Sequence, residues 1–257
     1  MISIRQLTKY YGEKRAVDNI TLDIPEGQLV GYLGPNGAGK STTIKILTGM
    51  LRPTVGTAHV HGLDTIKDNL AVKQIIGYVP DSGAVFETLT GWEYVEMVGQ
   101  LHDLTDATIL QRASGFAEFF ELPMETMRNE RMAGYSKGMR QKVVIMAALL
   151  HNPRVVFFDE PLNGLDANIA TMFKELIRHL VRDGKTILFS SHILDVVERM
   201  CDRIIVINTG RIVADGSLAT LQQQTGEESL ERIFSILTGG TDLEGKAAAF
   251  SRTLSLP

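Results

Sequence analysis

Hydrophobic positions along the chain change their period several times, and each change marks an element. Ile2, Ile4 and Leu7, then Ala16 to Ile24, then Thr57 to Val60 carry short β patterns punctuated by Gly12, Gly27, Gly56 and Gly62. The apolar run Leu29 to Leu33 reads as a buried strand, and Thr42 to Met50 as the helix after it. After Asp81 the character becomes helical. Thr90, with Glu93 three positions on, has the spacing of a capping box. Asp106 to Leu122 reads as a second helix closed by Pro123, Glu125 to Gly134 as a polar loop, and Gly138 to His151 as a third helix. Val155 to Phe158 and Thr186 to Ser190 are apolar runs typical of strands buried on both faces. The helical stretch Ala167 to Asp183 between them makes a strand–helix–strand unit, which predicts a parallel sheet. Leu230, Ile233, Phe234 and Leu237 follow i, i+3, i+4, i+7, so a short amphipathic helix is expected there, packed on its own domain or on a partner. Residues after Gly239 read as loosely ordered.

The expected architecture is α/β: a mostly parallel core sheet, an N-terminal antiparallel β part and an inserted helical segment. Residues 1–84 and 151–218 form the core, 85–150 the helical subdomain, and 219–257 the C-terminal helix and tail. Trp92, Tyr94, Phe116, Phe119 and Phe120 are expected mostly in the core of the helical part.

Composition narrows the setting. The 257 residues are 44% hydrophobic and 22% charged, ordinary for a globular protein. The net charge of −4 gives no global field toward nucleic acid or an anionic surface. A single cysteine, Cys201, leaves no internal disulfide framework and fits a reducing compartment. No stretch reaches the roughly eighteen apolar residues of a membrane span. The N-terminus lacks the apolar core of a signal peptide, so a cytoplasmic location is expected.

Two motifs carry chemistry. Residues 34 to 42 read GPNGAGKST, the pattern G-x-x-x-x-G-K-[ST] between a strand and a helix. Glycines there let successive N–H groups point into one concavity, and the helix N-terminus adds its positive end. Gly34, Asn36, Gly37, Ala38, Gly39, Lys40, Ser41 and Thr42 are the candidate phosphate-binding residues. Lys40 reaches the terminal phosphates, and Ser41 ligates Mg²⁺. A nucleoside triphosphate is the expected ligand. The second motif is Asp159-Glu160 at the end of the run Val155 to Phe158. Carboxylates there are costly unless paired or metal-bound. Asp159 suits a Mg²⁺ ligand and Glu160 the base that activates water.

With the remaining landmarks the chain resembles the ATP-binding cassette family, in particular the nucleotide-binding subunits of ABC transporters, over residues 1 to 218. YSKGMRQ at 135 to 141 stands where that family has its signature. Asn163 to Asp166 matches its D-loop, Ser190-Ser191-His192 its switch histidine, and Ile76 to Asp81 its Q-loop. The resemblance implies ATP and Mg²⁺ as ligands, and a homodimer or pseudo-symmetric heterodimer in which one phosphate loop faces the other copy's signature. Ser136, Gly138 and Asp166 then belong to the nucleotide site, and His192 contacts the γ-phosphate. Tyr11, or Tyr10 beside it, stacks on adenine. It further implies separate transmembrane permease subunits, a peripheral position on the inner face of the membrane and no nucleic-acid partner. Part of Ala84 to Trp92 then lines the groove for the membrane subunit.

Two departures stand out. The signature has Lys137 and Met139 where Gly and Gln are usual, and Lys137 either approaches the partner's phosphates or is solvated. Asp81 replaces the Q-loop glutamine, which adds a charge and a possible metal ligand. These variants look like the exporter branch. The competing readings are a soluble cassette ATPase acting on nucleic acid or the ribosome, and an ATP-sensing subunit that does not hydrolyse.

Overall fold

A computed structural model describes residues 1–81, 86–240 and 251. The chain opens with β1 (Ile2–Tyr11), β2 (Lys14–Ile24), β3 (Leu29–Leu33), α1 (Lys40–Leu47), β4 (Val55–Val60), β5 (Leu63–Asp64), α2 (Asn69–Ile75) and β6 (Ile76–Val79). Helices α3 (Gly91–Leu101), α4 (Asp106–Phe119), α5 (Met124–Asn129) and α6 (Lys137–Leu149) follow. The rest is β7 (Val155–Asp159), α7 (Ala167–Arg182), β8 (Thr186–Ser190), α8 (Leu194–Met200), β9 (Arg203–Asn208), β10 (Arg211–Gly216), α9 (Leu218–Thr225) and α10 (Leu230–Leu237).

Every residue of β3, β7 and β8 is buried. Strands this apolar need cover on both faces, which a parallel sheet flanked by helices provides. They lie in a six-stranded sheet of order β10-β9-β3-β8-β7-β6, parallel except for β10 at one edge. Alternate residues feed two cores. Leu33, Val156, Phe158, Ile187 and Phe189 pack with α6 and α7 on one face. Tyr32, Val155, Phe157 and Leu188 pack on the other with α1 and a four-stranded antiparallel sheet of order β2-β1-β4-β5. The α/β reading with an N-terminal antiparallel sheet is thus correct.

Strands β6 and β7 are neighbours, with Ile76 paired to Val155, although α3 to α6 intervene in sequence. Those helices are an excursion from the sheet that returns to the adjacent position. The capping box forms as its spacing predicts: Glu93 N–H donates to Thr90 Oγ1 at 3.1 Å and Thr90 N–H to Glu93 Oε2 at 2.8 Å. Helix α1 stops at Leu47, short of Met50. Gly49, at φ 70°, donates to Ile46 O while Met50 N–H donates to Lys45 O, a Schellman stop.

The expected polar loop Glu125 to Gly134 is corrected. It holds α5 and a 3-10 turn at Met132–Gly134, because Met127 and Met132 are fully buried and anchor it in the core beside α3. Its charges face outward and masked that pattern. Helix α10 packs on α8, α9 and β9 of its own chain, with Leu230 and Ile233 buried. The tail after Gly240 lies outside the described residues except for Ser251, as do Ala84 and Val85 of the expected groove segment.

Phe173 of α7 is the hub of the larger core, edge-on to Phe158 at 5.2 Å and tilted against Phe120 at 6.3 Å. Phe173→Ala is expected to cost about 3–5 kcal/mol, from lost transfer energy plus an unfilled cavity. The check is a lower urea midpoint at unchanged slope.

Candidate functional site

The carboxyl ends of β3, β6, β7 and β8 all open on the same edge of the parallel sheet, where ligands bind in open α/β folds. Four connections meet there: residues 34–39 after β3, Pro80-Asp81 after β6, Glu160 after β7 and Ser191-His192 after β8. Ser191-His192 stands behind Glu160, and the first three border a cavity of about 390 Å³. Asn36, Gly37, Gly39, Lys40, Ser41, Thr42, Asp81, Asp159 and Glu160 line it, together with Tyr11, Lys14 and Ala16 from the N-terminal hairpin.

The loop has its shape because of what its glycines allow. Gly39 sits at φ 113°, and a Cβ there would come 2.5 Å from Ala16 O. A Cβ on Gly34 would lie 2.3 Å from Ile207 O. Larger residues at either position would push the loop off β2 or β9. Ala38 is buried beneath the turn, and its carbonyl accepts from Gly210 N–H at 2.9 Å. Gly34 and Ala38 therefore shape the loop without lining the cavity.

Lys40 folds back over the loop. Its Nζ donates to Gly34 O at 2.6 Å and to Pro35 O at 3.3 Å. Burial lowers its pKa below the usual lysine range, while the charges of Glu160, Asp159 and Asp81 oppose that shift. Lys40 thus faces three carboxylates, with Lys14 also on the cavity wall.

Each acidic residue is held differently. Asp159 ends β7 opposite Ser190, is 3% exposed, and its Oδ1 accepts from Ser190 Oγ at 2.6 Å. Glu160 takes the left-handed conformation at φ 54°, uncommon for a residue with a long side chain. Its N–H donates to Ser190 O at 3.1 Å, and its Oε2 accepts from His192 N–H at 3.2 Å. His192 Nδ1 lies 2.7 Å from the same oxygen. An ionised carboxylate only accepts, so Nδ1 carries the proton in this contact. The backbone strain is thus compensated by bonds that aim Glu160. Asp81 Oδ1 accepts from Asn163 Nδ2 at 3.1 Å, which ties the segment after β6 to the turn after Glu160.

Three expected site residues lie apart from this cavity. Ser136 caps α6, its Oγ accepting from Met139 N–H at 3.2 Å. Gly138 abuts the turn at Gly164, where an added Cβ would come 2.4 Å from Gly164 O. Asp166 caps α7 by accepting from Ile169 N–H at 3.0 Å, a bond that lowers its pKa. The three do not line the cavity of their own chain. His192 reaches it only through Glu160. Of the two tyrosines, Tyr11 lines the cavity and Tyr10 does not.

Sequence reasoning missed Lys14, Ala16, Ser190 as the partner of Asp159, and Asn163 as the partner of Asp81. A signal existed for the first: a two-residue Gly12-Glu13 turn places Lys14 opposite Tyr11, and the two do pair.

Among the described residues no three His, Cys, Asp or Glu side chains are grouped to hold a metal. Ser41, Asp81 and Asp159 do converge on a neighbouring cavity. A hydroxyl and two carboxylates are hard oxygen donors that suit Mg²⁺, which takes few protein ligands and fills its shell with water and phosphate.

Comparison with known proteins follows the same lines. The profile of the ABC transporter family matches residues 17–163. The ABC transporter ATP-binding protein NatA of Bacillus subtilis (strain 168) is 38% identical over 239 residues, covering 91% of this chain and 96% of that protein. The daunorubicin/doxorubicin resistance ATP-binding protein DrrA of Streptomyces peucetius is 38% identical over 224 residues, covering 87% and 67%. Among solved structures, an ATP-binding subunit of an ABC transporter superposes with TM-score 0.86 at 30% identity, covering 92% of this chain and 99% of that one. The bacterial ABC transporter cassette MJ0796, solved as a dimer, gives 0.77 at 28% identity, covering 84% and 98%. It has also been solved in a post-hydrolysis state with ADP and Pi.

Proposed function

The chain belongs to the ABC transporter family, and from that premise we propose that it powers export of a substrate through a separate transmembrane partner. It is an ATPase with the cassette fold of that family. We place residues 1–84 and 151–218 in the ATP-binding core and 85–150 in a helical subdomain carrying the signature. The observation that carries the reading is the ordering of Glu160 by His192 and Ser190 beside a phosphate loop and a buried aspartate. An ATP-sensing subunit has no need of a strained, aimed base. Export is supported by the resistance function in the name of DrrA. Among the described residues no helix is long and apolar enough to cross a membrane, which is compatible with a pathway supplied by a separate partner.

The residues divide the work. Backbone N–H groups from Gly37 to Thr42 cradle the phosphates, and Lys40 neutralises the β and γ oxygens. Tyr11 stacks on the adenine. Ser41, Asp159 and Asp81 would hold Mg²⁺, which would supply charge neutralisation for the phosphates. Glu160 takes a proton from the attacking water as the bond between the γ-phosphorus and the ADP oxygen breaks. His192 holds Glu160 in line and reaches the γ-phosphate once the site closes. Closure is by a second cassette, as a homodimer or pseudo-symmetric heterodimer, whose Ser136, Gly138 and Asp166 complete the site. The assembly then sits on the inner face of the membrane.

Two measurements test this. Affinity purification of the full chain from solubilised membranes is expected to bring down a polytopic membrane protein. Recovery of ribosomes or nucleic acid instead would favour the soluble-ATPase alternative. The second is a Mg²⁺ titration of ATPase rate for Asp81 variants at one ATP concentration. Asp81→Asn is expected to shift the Mg²⁺ requirement several-fold upward, a neutral amide being a poorer ligand for a hard cation. Asp81→Gln is expected to retain more activity than Asp81→Ala. Superimposable curves would reduce Asp81 to its bond with Asn163.

A further inference from the structure

A second groove, of about 500 Å³, opens between the helical excursion and α7, away from the nucleotide cavity. Phe116 and Phe119 of α4, Leu150 and Pro153 after α6, and Leu176 and Leu180 of α7 form its walls. The volume is that of a small-molecule pocket, roughly 300–1,000 Å³.

Two cations stand on it. Arg112 Nη1 donates to Leu150 O at 2.7 Å. Lys185 Nζ donates to Asn152 Oδ1 and Pro153 O, each at 2.6 Å. All three acceptors are neutral, and among the described residues neither cation forms an ion pair with a carboxylate. Both keep N–H donors to spare, Arg112 several and Lys185 one. Asp183 lies near enough to Lys185 to favour its charged form without forming an ion pair with it. Burial, then His102, Lys185 and Arg112 push the pKa of His151 down to about 4, against the opposing bond to Ile76 O.

We propose that this groove binds a free fatty acid, its chain along Phe116, Phe119, Leu176 and Leu180 and its carboxylate between Arg112 and Lys185. Two cations outside any direct ion pair, beside an apolar track, are complementary to one anionic head on one hydrocarbon tail. The helices α4 and α7 satisfy their backbone groups internally, so the groove offers no ladder to an extended peptide. The site is independent of the nucleotide chemistry, and an occupant touches α4 and α7 at once.

The test is calorimetric titration of the full chain with dodecanoate below its micelle concentration, beside dodecyltrimethylammonium of equal chain length. Saturable binding near one per chain is expected for the carboxylate and none for the cation. Arg112→Met and Lys185→Met should each weaken it about tenfold, the loss of one charge-assisted bond. Gly115 of α4 lines the groove, and a Cβ added there meets nothing within 4 Å. Gly115→Leu should therefore fill the groove without harming the fold, abolishing dodecanoate binding while Tm and ATP affinity stay as in the parent. The proposal is overturned by equal binding of the cationic amphiphile, by many molecules per chain, or by parental affinity in Gly115→Leu. Binding of an acidic amphipathic peptide or of anionic vesicles in place of dodecanoate would overturn it as well.

Discussion

Glu160→Gln is expected to reduce ATP turnover by about 10²–10⁴-fold, the usual contribution of a positioned general base, while ATP binding is retained. The amide is nearly isosteric with the carboxylate. Its oxygen still accepts from His192 N–H and Nδ1, so the turn at φ 54° keeps its anchors. What disappears is the proton acceptor, together with one of three negative charges around the phosphates. Less repulsion and no hydrolysis together favour the ATP-loaded, closed pair of cassettes. Single-turnover phosphate release should therefore collapse, and size-exclusion in ATP should show a dimer that the parent does not accumulate. Release at the parental rate would remove Glu160 from the role of base and revive the ATP-sensing reading.

Much of this geometry was legible because the motifs sit at strand ends, and strand ends are what periodicity locates best. The run Leu29 to Leu33 fixes where the glycine-rich loop begins. The run Val155 to Asp159 fixes which carboxylate ends the strand and which lies beyond it. Parallel pairing then brings both to one edge of the sheet. The contacts between segments were not legible. Nothing local shows that Ile76 pairs with Val155, or that Ser190 lies opposite Asp159. Those facts come from the order of strands, set by packing on both faces. Glu160 gave no hint of its left-handed backbone, since that conformation favours Gly, Asn and Asp. Its bonds to Ser190 and His192 over-determine a conformation the residue would not choose alone. Helix α5 was hidden for another reason. Met124 and Met127 are a sparse apolar signal among charges, and only the buried surface beneath them shows why the segment folds.

Lys40→Ala should instead abolish nucleotide binding, with ATP affinity falling by about 10²-fold or more. In the free protein the ammonium is held by Gly34 O and Pro35 O and is half-buried. Its desolvation is the larger effect and is only partly opposed by attraction to Glu160, Asp159 and Asp81. Removing it leaves the exposed Lys14 on the cavity wall as the remaining cation against three carboxylates and an incoming triphosphate. Two charge-assisted contacts to the β and γ oxygens are lost, each worth about 1.5–3 kcal/mol, and the repulsion adds to that loss. The fold should survive, because the turn is also held by Ala38 N–H on Pro35 O and by Gly210 N–H on Ala38 O. Lys40→Arg separates charge from fit. It keeps the cation, yet a planar guanidinium cannot occupy the position where a single Nζ meets two carbonyls. Its affinity should fall between parent and alanine. Titration of a fluorescent ATP analogue, with thermal unfolding of each variant as the control for folding, decides the matter. Parental affinity in Lys40→Ala at unchanged Tm would overturn the assignment of residues 34 to 42 as the phosphate loop.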